Sequence, residues 1–476
     1  MAIKKHLWQL LLLLFLSLVA MRTFWGPGFY DGHDSQAHIV RLWQFDKVLR
    51  SGQFPPAWAP DLYAGRGYPL FIFAYPLPYF IAESFHLLGA DFAVSLKLTL
   101  VLAYFSSVVG MYFLSGLVGA ILWGFAPYMF VKIFITGSLG VVVAYAFIPW
   151  FFWAVKQKKW LGASIFLSLW ILSHPGKLVI FGPLLLLVFL QNRTAYRRFL
   201  FSILLALGLS AWYFLPANLE LPYTHFKDFV SHGYVNDFVP FSRLLYSQWG
   251  TNAPGWGDNS LSQQVGIAQW LAIVLSLFFW RKLWPYLLVF SLSIFLMLPQ
   301  SKFIWDLPTP LQQVSTPWRF LSLAVFTAAI SGALAVKMIQ SKFLRYLAAA
   351  LLIGLALYGN RNHLRINEVR FYDQAFFDNY TGVAAGWNEY LPIWVKEVDY
   401  VKSKDQLNTL YYPGWQVTVD GQKVAIKPGV NGLITFAVPP GDHQIAAKFL
   451  PTWWRYLAGL ISLFSVLVLI WQLKKK

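Results

Sequence analysis

The chain has 476 residues, of which 58% are hydrophobic, 19% aromatic and only 12% charged, against about 25% charged in soluble domains. Its formal charge of +18 would suit nucleic acid, but the basic residues stand in short clusters between apolar runs rather than along a stripe, which excludes that partner. The absence of cysteine rules out disulfides, thiolate metal sites and thiol nucleophiles.

Lys4-Lys5 followed by Leu7 to Ala20 has the outline of a signal peptide. No small-x-small cleavage site follows and the apolar run continues to Trp25, so it reads as a retained first helix. Apolar runs of bilayer length then recur, and short basic loops facing the cytoplasm orient them. A span near 7–24 leads to an outer segment at 25–92. Further spans fall near 93–114, 117–134, 139–155, 160–173, 177–190 and 198–216. After a second outer loop at 217–264 come spans near 265–280, 284–298, 319–336 and 344–359, an outer domain at 360–450 and a last span at 453–473. The expected architecture is an all-α polytopic membrane protein of about twelve helices with both termini cytoplasmic. It divides into a transmembrane module at 1–359, a β domain at 360–450, and a final helix with a basic tail at 451–476.

The apolar segment 69–89 is the exception. It carries Pro69, Pro76 and Pro78, which break helical hydrogen bonding, together with Glu83 and His86. It therefore reads as re-entrant or lying along the membrane surface. With that choice Lys156, Lys158, Lys159, Arg193, Arg197, Arg198, Arg281, Lys282, Lys337, Lys342 and Arg345 all fall inside, and all 20 acidic residues fall outside.

In the outer tail domain, Thr409–Tyr412, Gln416–Val419, Lys423–Ile426, Leu433–Val438 and Ile445–Phe449 have strand character. Asp420-Gly421 is a two-residue hairpin signal. A small β-sandwich ahead of the last helix is expected.

The densest polar group lies in the first outer loop: Asp31, His33, Asp34, His38 and Arg41. A helix beginning near Gly32 would place Asp34, His38 and Arg41 on one face. A carboxylate, an imidazole and a guanidinium at the membrane surface suit activation of an acceptor hydroxyl beside a phosphate. Asp31 or Asp34 would be the base and Arg41 would bind the anionic leaving group; a capping acid and a solvated pair is the plainer account. Downstream, Gly52 to Trp58 and Leu62 to Phe71, with Arg66 and Tyr68, alternate Gly, Pro and aromatics as a cavity lining or an interfacial belt would. Lys132, Lys177 and Arg319 lie near outer helix ends, at the depth of a lipid phosphate. Snorkelling explains Lys177 more readily than Arg319.

The stretch from His33-Asp34 through His38, Arg41, Gly52, Pro55, Trp58, Asp61-Leu62, Gly65 and Gly67-Tyr68-Pro69-Leu70-Phe71 resembles the first loop of bacterial GT-C-type membrane glycosyltransferases. More narrowly it resembles the YfhO-like proteins and those labelled "6-pyruvoyl-tetrahydropterin synthase-related". Phe125-Ala126-Pro127-Tyr128, Gly386-Trp387-Asn388-Glu389-Tyr390-Leu391-Pro392 and Tyr412-Pro413-Gly414-Trp415 fit the same group, and the likeness spans nearly the whole chain. It implies transfer of a sugar from a polyprenyl-phosphate donor to an envelope glycan, lipid or protein on the outer face, with Asp34 at the position of the family's essential acid and Asp31 in reserve. His38 would assist catalysis, while His33, Arg41, Arg66, Tyr68, Lys132 and Arg319 would bind substrate or lipid phosphate. Many GT-C enzymes hold a divalent cation, Mg²⁺ or Mn²⁺, through an Asp-x-Asp or Glu-x-Asp pair; this loop lacks one. The pterin label finds no three-histidine zinc site here. The rival readings are a lipid or glycan transporter or flippase, which would carry mid-bilayer charges and repeats, and a non-catalytic envelope-assembly scaffold.

Overall fold

The computed structural model describes residues 2–230, 233–254, 259–386, 388–395, 406–429 and 431–475. Trp387, Lys476 and parts of the second outer loop and tail domain lie outside them. The molecule is mostly helical. Among the described residues, five helices are long and apolar enough to cross a bilayer: Phe92–Ser115, Leu139–Lys156, Pro317–Met338, Lys342–His363 and Trp453–Lys474. Three helix pairs qualify only jointly, bent by 49° after Gly124, 79° after Gln191 and 90° after Met297. His6–Ala20, Trp160–Ser173 and Ile267–Leu277 are apolar but shorter. The expected dozen crossings thus rest on five straight helices plus bent and short ones. The break after Gly124 has a local cause, because Pro127 starts a new helix and has no N–H to continue the old one.

Hydrogen bonds between helix ends sort the bundle into two faces. At one, His6 meets the Tyr112 hydroxyl (2.6 Å), Lys156 donates to the Leu114 carbonyl (2.8 Å) and Lys337 to the Ser115 carbonyl (2.8 Å). At the other, Lys97 donates to the carbonyls of Gly26 and Gly28, and Asn360 to that of Phe125. The first loop and the tail domain meet at this second face. Phe29–Tyr30 pairs with Val369–Arg370, and the Leu410 amide bonds the Arg66 carbonyl (2.9 Å).

The segment 69–89 forms two short helices, Leu70–Phe73 and Leu77–Leu87. Eleven residues reach only about 16 Å, half a hydrocarbon core. In the tail domain, Leu433–Phe436 lies between Gln406–Leu410 and Ile426–Pro428, and Trp415–Val419 lies between Gln422–Val424 and Ile445–Phe449. Val417 and Val419 of one sheet pack with Ile434 and Phe436 of the other. Both turn residues of the Asp420-Gly421 hairpin have positive φ, as the right-handed strand twist requires. The first strand runs Gln406–Leu410 rather than 409–412. Tyr412 instead leaves the sheet to pack, fully buried, near Trp58 of the first loop.

Candidate functional site

The site begins with two glycines. Gly32 to Ser35 lies against Ile135 to Gly137, with the His33 amide bonded to the Ile135 carbonyl (2.9 Å) and the Asp34 amide to that of Thr136 (3.0 Å). A Cβ on Gly32 would come within 3.0 Å of the Ile135 carbonyl oxygen. One on Gly137, at φ +60°, would meet Ser35 Oγ at 2.8 Å. Only glycine permits this approach. Residues Val131–Ile135 form a π-helical turn, a wider coil that is common at functional sites. The interlock brings Lys132 within electrostatic range of Asp34.

The helix of the first loop starts at Ser35, three residues later than expected. Asp34 occupies the N-cap position, yet its side chain makes no capping bond and no ion pair among the described residues, and it is exposed. Asp31 is engaged, paired with Arg370 at 2.6 Å. The two acids that the sequence left as alternatives therefore differ in availability.

His38 is buried rather than a solvated partner of Asp34. Its Nδ1 meets the Tyr79 hydroxyl at 2.8 Å and its Nε2 accepts the Leu139 amide at 3.4 Å. Burial and the neighbouring Arg41 hold its pKa well below the usual imidazole range, so it is neutral. With both nitrogens occupied, it ties the first loop to the helix Leu139–Lys156. Arg41 donates to the Ala384 carbonyl (2.6 Å) and the Tyr79 hydroxyl (3.4 Å). His33 donates to the Thr251 carbonyl (2.5 Å) on the rim of an open pocket of about 310 Å³ that Asp31, Asn252 and Asn367 also line. Tyr68 accepts the Tyr390 amide (2.9 Å). The Arg66 guanidinium stands 5.8 Å from the centre of the Tyr63 ring, and its backbone carbonyl accepts the Leu410 amide, so these contacts do not gather it with Asp34.

Lys132 and Arg319 converge, and Lys177 and His174 join them: the four groups lie within electrostatic range of one another. Lys132 is 3% exposed and Lys177 1%. The Lys132 ammonium stands 4.2 Å from the centre of the Trp318 ring and that of Lys177 5.3 Å from Tyr145, cation–π contacts that partly offset burial. Lys177 also reaches Ser322 Oγ at 3.5 Å, and Arg319 donates to the Val314 carbonyl. No ion pair neutralises any of the three cations among the described residues. His174 Nδ1 and Trp318 Nε1 are buried there without a hydrogen-bond partner. Uncompensated charges and unpartnered buried nitrogens gathered in one cluster are costly unless an anion completes it. Sequence reasoning undervalued Lys177 and missed His174. The His174-Pro175 helix break was the available signal, since it aims both residues inward between two helix ends.

Among the described residues no three His, Asp or Glu side chains converge to hold a metal ion. With Asp31 already committed to Arg370, the donors at Asp34 do not fit a divalent cation.

Several apolar helices define a multi-pass membrane protein, in which Lys132, Lys177 and Arg319 gather beside the exposed carboxylate of Asp34. Residues 398–462 match the family model described as bacterial membrane protein YfhO. No curated protein matches the chain. Among solved structures, the cryo-EM structure of the arabinofuranosyltransferase AftD from Mycobacteria is similar, with a TM-score of 0.48 and 13% identity, covering 75% of this chain and 27% of that one. The chain thus spans about a quarter of that protein's length.

Proposed function

We propose that this chain is a membrane glycosyltransferase that moves a sugar from a polyprenyl-phosphate donor to an acceptor at the outer face of the cytoplasmic membrane. The observation that carries the reading is the cluster of the buried Lys132 and Lys177 with the half-buried Arg319, none of them in an ion pair among the described residues, beside the exposed Asp34. The three cations hold the phosphate and meet the charge that grows on it as the sugar departs. Asp34 takes the proton of the acceptor hydroxyl, whose oxygen attacks the anomeric carbon. The bond from that carbon to the phosphate oxygen breaks, its electron pair leaves with the phosphate, and a single displacement inverts the sugar. His38 positions the loop that carries Asp34.

An apolar hollow of about 430 Å³ supports a lipid-linked donor. Phe151, Leu167, Leu178, Phe189, Phe199 and Ile203 are among its walls, and Leu178 adjoins Lys177 in the chain. A phosphate held by Lys177 would leave an isoprenoid tail facing that wall. The basic clusters at the opposite face of the bundle support an extracytoplasmic site and tail domain. The test is sugar transfer from a polyprenyl-phosphate donor by the purified protein. Asp34→Asn should lose roughly 10²- to 10⁴-fold in rate; transfer undiminished in that variant would overturn the assignment.

A further inference from the structure

The open pocket of about 310 Å³ beside the first loop plays no part in the mechanism above. Four separate stretches of chain wall it. Asp31, Gly32 and His33 come from the first loop, Ile135 from the π-helical turn, Thr251 and Asn252 from the second outer loop, and Asn367 from the segment after the helix Lys342–Gly359. Backbone bonds hold each wall in place. The Asp31 amide bonds the Glu368 carbonyl (2.9 Å), next to Asn367, and the His33 amide bonds that of Ile135 (2.9 Å). The Asn252 amide donates to the Asn259 carbonyl (2.8 Å), and its own carbonyl accepts the Leu261 amide (2.8 Å). His33 ties the first loop to the second by donating from Nε2 to the Thr251 carbonyl. The pocket is thus formed in advance of any ligand, as small-molecule sites generally are. Asp34 adjoins it along two chains: it follows His33 directly, and its amide bonds the Thr136 carbonyl, one residue beyond Ile135.

The chemistry of the lining selects the ligand. Ile135 is the one aliphatic residue among the described walls, so an acyl chain or an aromatic ring gains little there. An anion meets the Asp31 carboxylate, and the Arg370 guanidinium is already spent on that carboxylate at 2.6 Å. A phosphate is better served by Lys132, Lys177 and Arg319. A divalent cation would find one carboxylate and one imidazole, too few ligands to hold it. What the walls do offer is hydrogen bonding without net charge. Asp31 pairs with Arg370 through Oδ2, which leaves Oδ1 to accept. The Asn367 amide is exposed, makes no hydrogen bond among the described residues, and can both donate and accept. Because His33 donates through Nε2, its neutral ring keeps Nδ1 as an acceptor. Neighbouring sugar hydroxyls, each a donor and an acceptor, match such a set. The volume stands at the lower end of the about 300–1,000 Å³ common for small ligands, which suits one ring rather than an oligomer. We propose that this pocket is the acceptor subsite and that Asp31 and Asn367 read a neutral, polyhydroxylated sugar ring held there, with one hydroxyl directed to Asp34. This rests on the glycosyltransfer reading. Asn367 is a specificity-determining residue and takes no proton in the reaction.

The test uses the full-length purified protein and two probes. Saturation-transfer NMR with a panel of methyl hexopyranosides and methyl pentofuranosides reads the pocket, and a thermal-shift titration with farnesyl phosphate reads the donor side. At least one methyl glycoside should bind the wild type, and inorganic phosphate should not displace it. Asn367→Ala, a change at an exposed position, should weaken that glycoside by roughly three- to tenfold. Asn367→Cys coupled to a bulky maleimide should fill the pocket and abolish glycoside binding. Farnesyl phosphate affinity should stay unchanged in both variants. In the transfer assay, the glycoside that binds should be consumed as an acceptor. The proposal is overturned if no glycoside binds the wild type, if phosphate displaces it, or if the blocked variant binds it as well as the wild type does. Inhibition of transfer without consumption would assign the pocket to the donor sugar and overturn it too. Failure of the underlying reading has a different signature: farnesyl phosphate would not bind the wild type, or Asp34→Asn would keep full transfer.

Discussion

Lys177 buries its ammonium at a helix start with only a serine hydroxyl and an aromatic face for company. Holding like charges together in a low-dielectric chamber costs several kcal/mol until a counter-ion arrives. Lys177→Met should therefore raise the thermal midpoint of the ligand-free protein while weakening farnesyl phosphate by about 10- to 100-fold. A variant that loses stability and keeps its affinity would show the lysine to be structural. Glu83 is strained in a different way. It is buried in the short helix Leu77–Leu87, and burial, followed by the neighbouring Asp46, pushes its pKa up to about 7. The folded state then holds a proton that the unfolded chain has lost, so Glu83 makes stability fall as pH rises from the ordinary carboxyl range through about 7. Glu83→Gln should melt close to wild type at low pH and increasingly above it on going to about pH 8; equal melting points across that range would refute the assignment. At this scale the sequence was readable where charge stood out against apolar surroundings, as at Asp34, Lys132 and Arg319. It was not readable where a role depends on which distant wall a side chain faces. Arg41 lies in an ordinary polar stretch, and only folding sets it against Tyr79 and the Ala384 carbonyl.

The junction between the helix Ala211–Glu220 and the final helix turns on one carboxylate. Glu220 is fully buried, and both of its oxygens take donors from Arg455 (2.6 and 2.5 Å), with Trp454 adding a third bond at 2.7 Å. Such a forked pair fixes geometry as well as energy. Removing one partner strands the other in a dry site, so Glu220→Leu should cost about 3–5 kcal/mol, read as a fall in the midpoint of thermal unfolding. The double variant Glu220→Leu/Arg455→Met should recover most of that loss, and failure to recover would mean that the pair is not the source. Elements were legible where a local rule dominates. Asp420-Gly421 turns a hairpin because both positions need positive φ, and the prolines of segment 69–89 keep it from becoming a span. The breaks after Gln191 and Met297 fall at the expected span ends 190 and 298, whereas the bend after Gly124 lies inside the expected span 117–134, because hydropathy counts apolar residues without sensing the direction of the axis.

Across the whole molecule, the two hydrogen-bonded faces carry the functional reading. Lys156 and Lys337 gather at the face of His6; the first loop, Glu220 and the tail domain gather at the other. Because the chain has no cysteine, single substitutions can report the sides cleanly. A membrane-impermeant maleimide should label Ser51→Cys and Gly421→Cys in intact cells, and Lys158→Cys only after permeabilisation. The reverse pattern would put Asp34 in the cytosol and end the proposed chemistry. The segregation of lysines and arginines made this face-to-face organisation readable, since the cost of moving charge across lipid is written into every loop. The number of crossings was not, because short and bent helices satisfy the same hydropathy in several ways.

Asp34 is joined by Lys132, and through it by Lys177 and Arg319, from far along the chain, so the earliest of these groups to leave the ribosome waits for Arg319. Insertion of the early helices can place Asp34 and Lys132 side by side through the glycine interlock, but Arg41 meets the Ala384 carbonyl only when the loop after Asp378 folds back. Chains released prematurely, or cleaved between residues 320 and 380, would carry the collected cations without the Ala384 contact that holds Arg41. Biosynthesis itself thus delays completion of this region until the loop that carries Ala384 has been made.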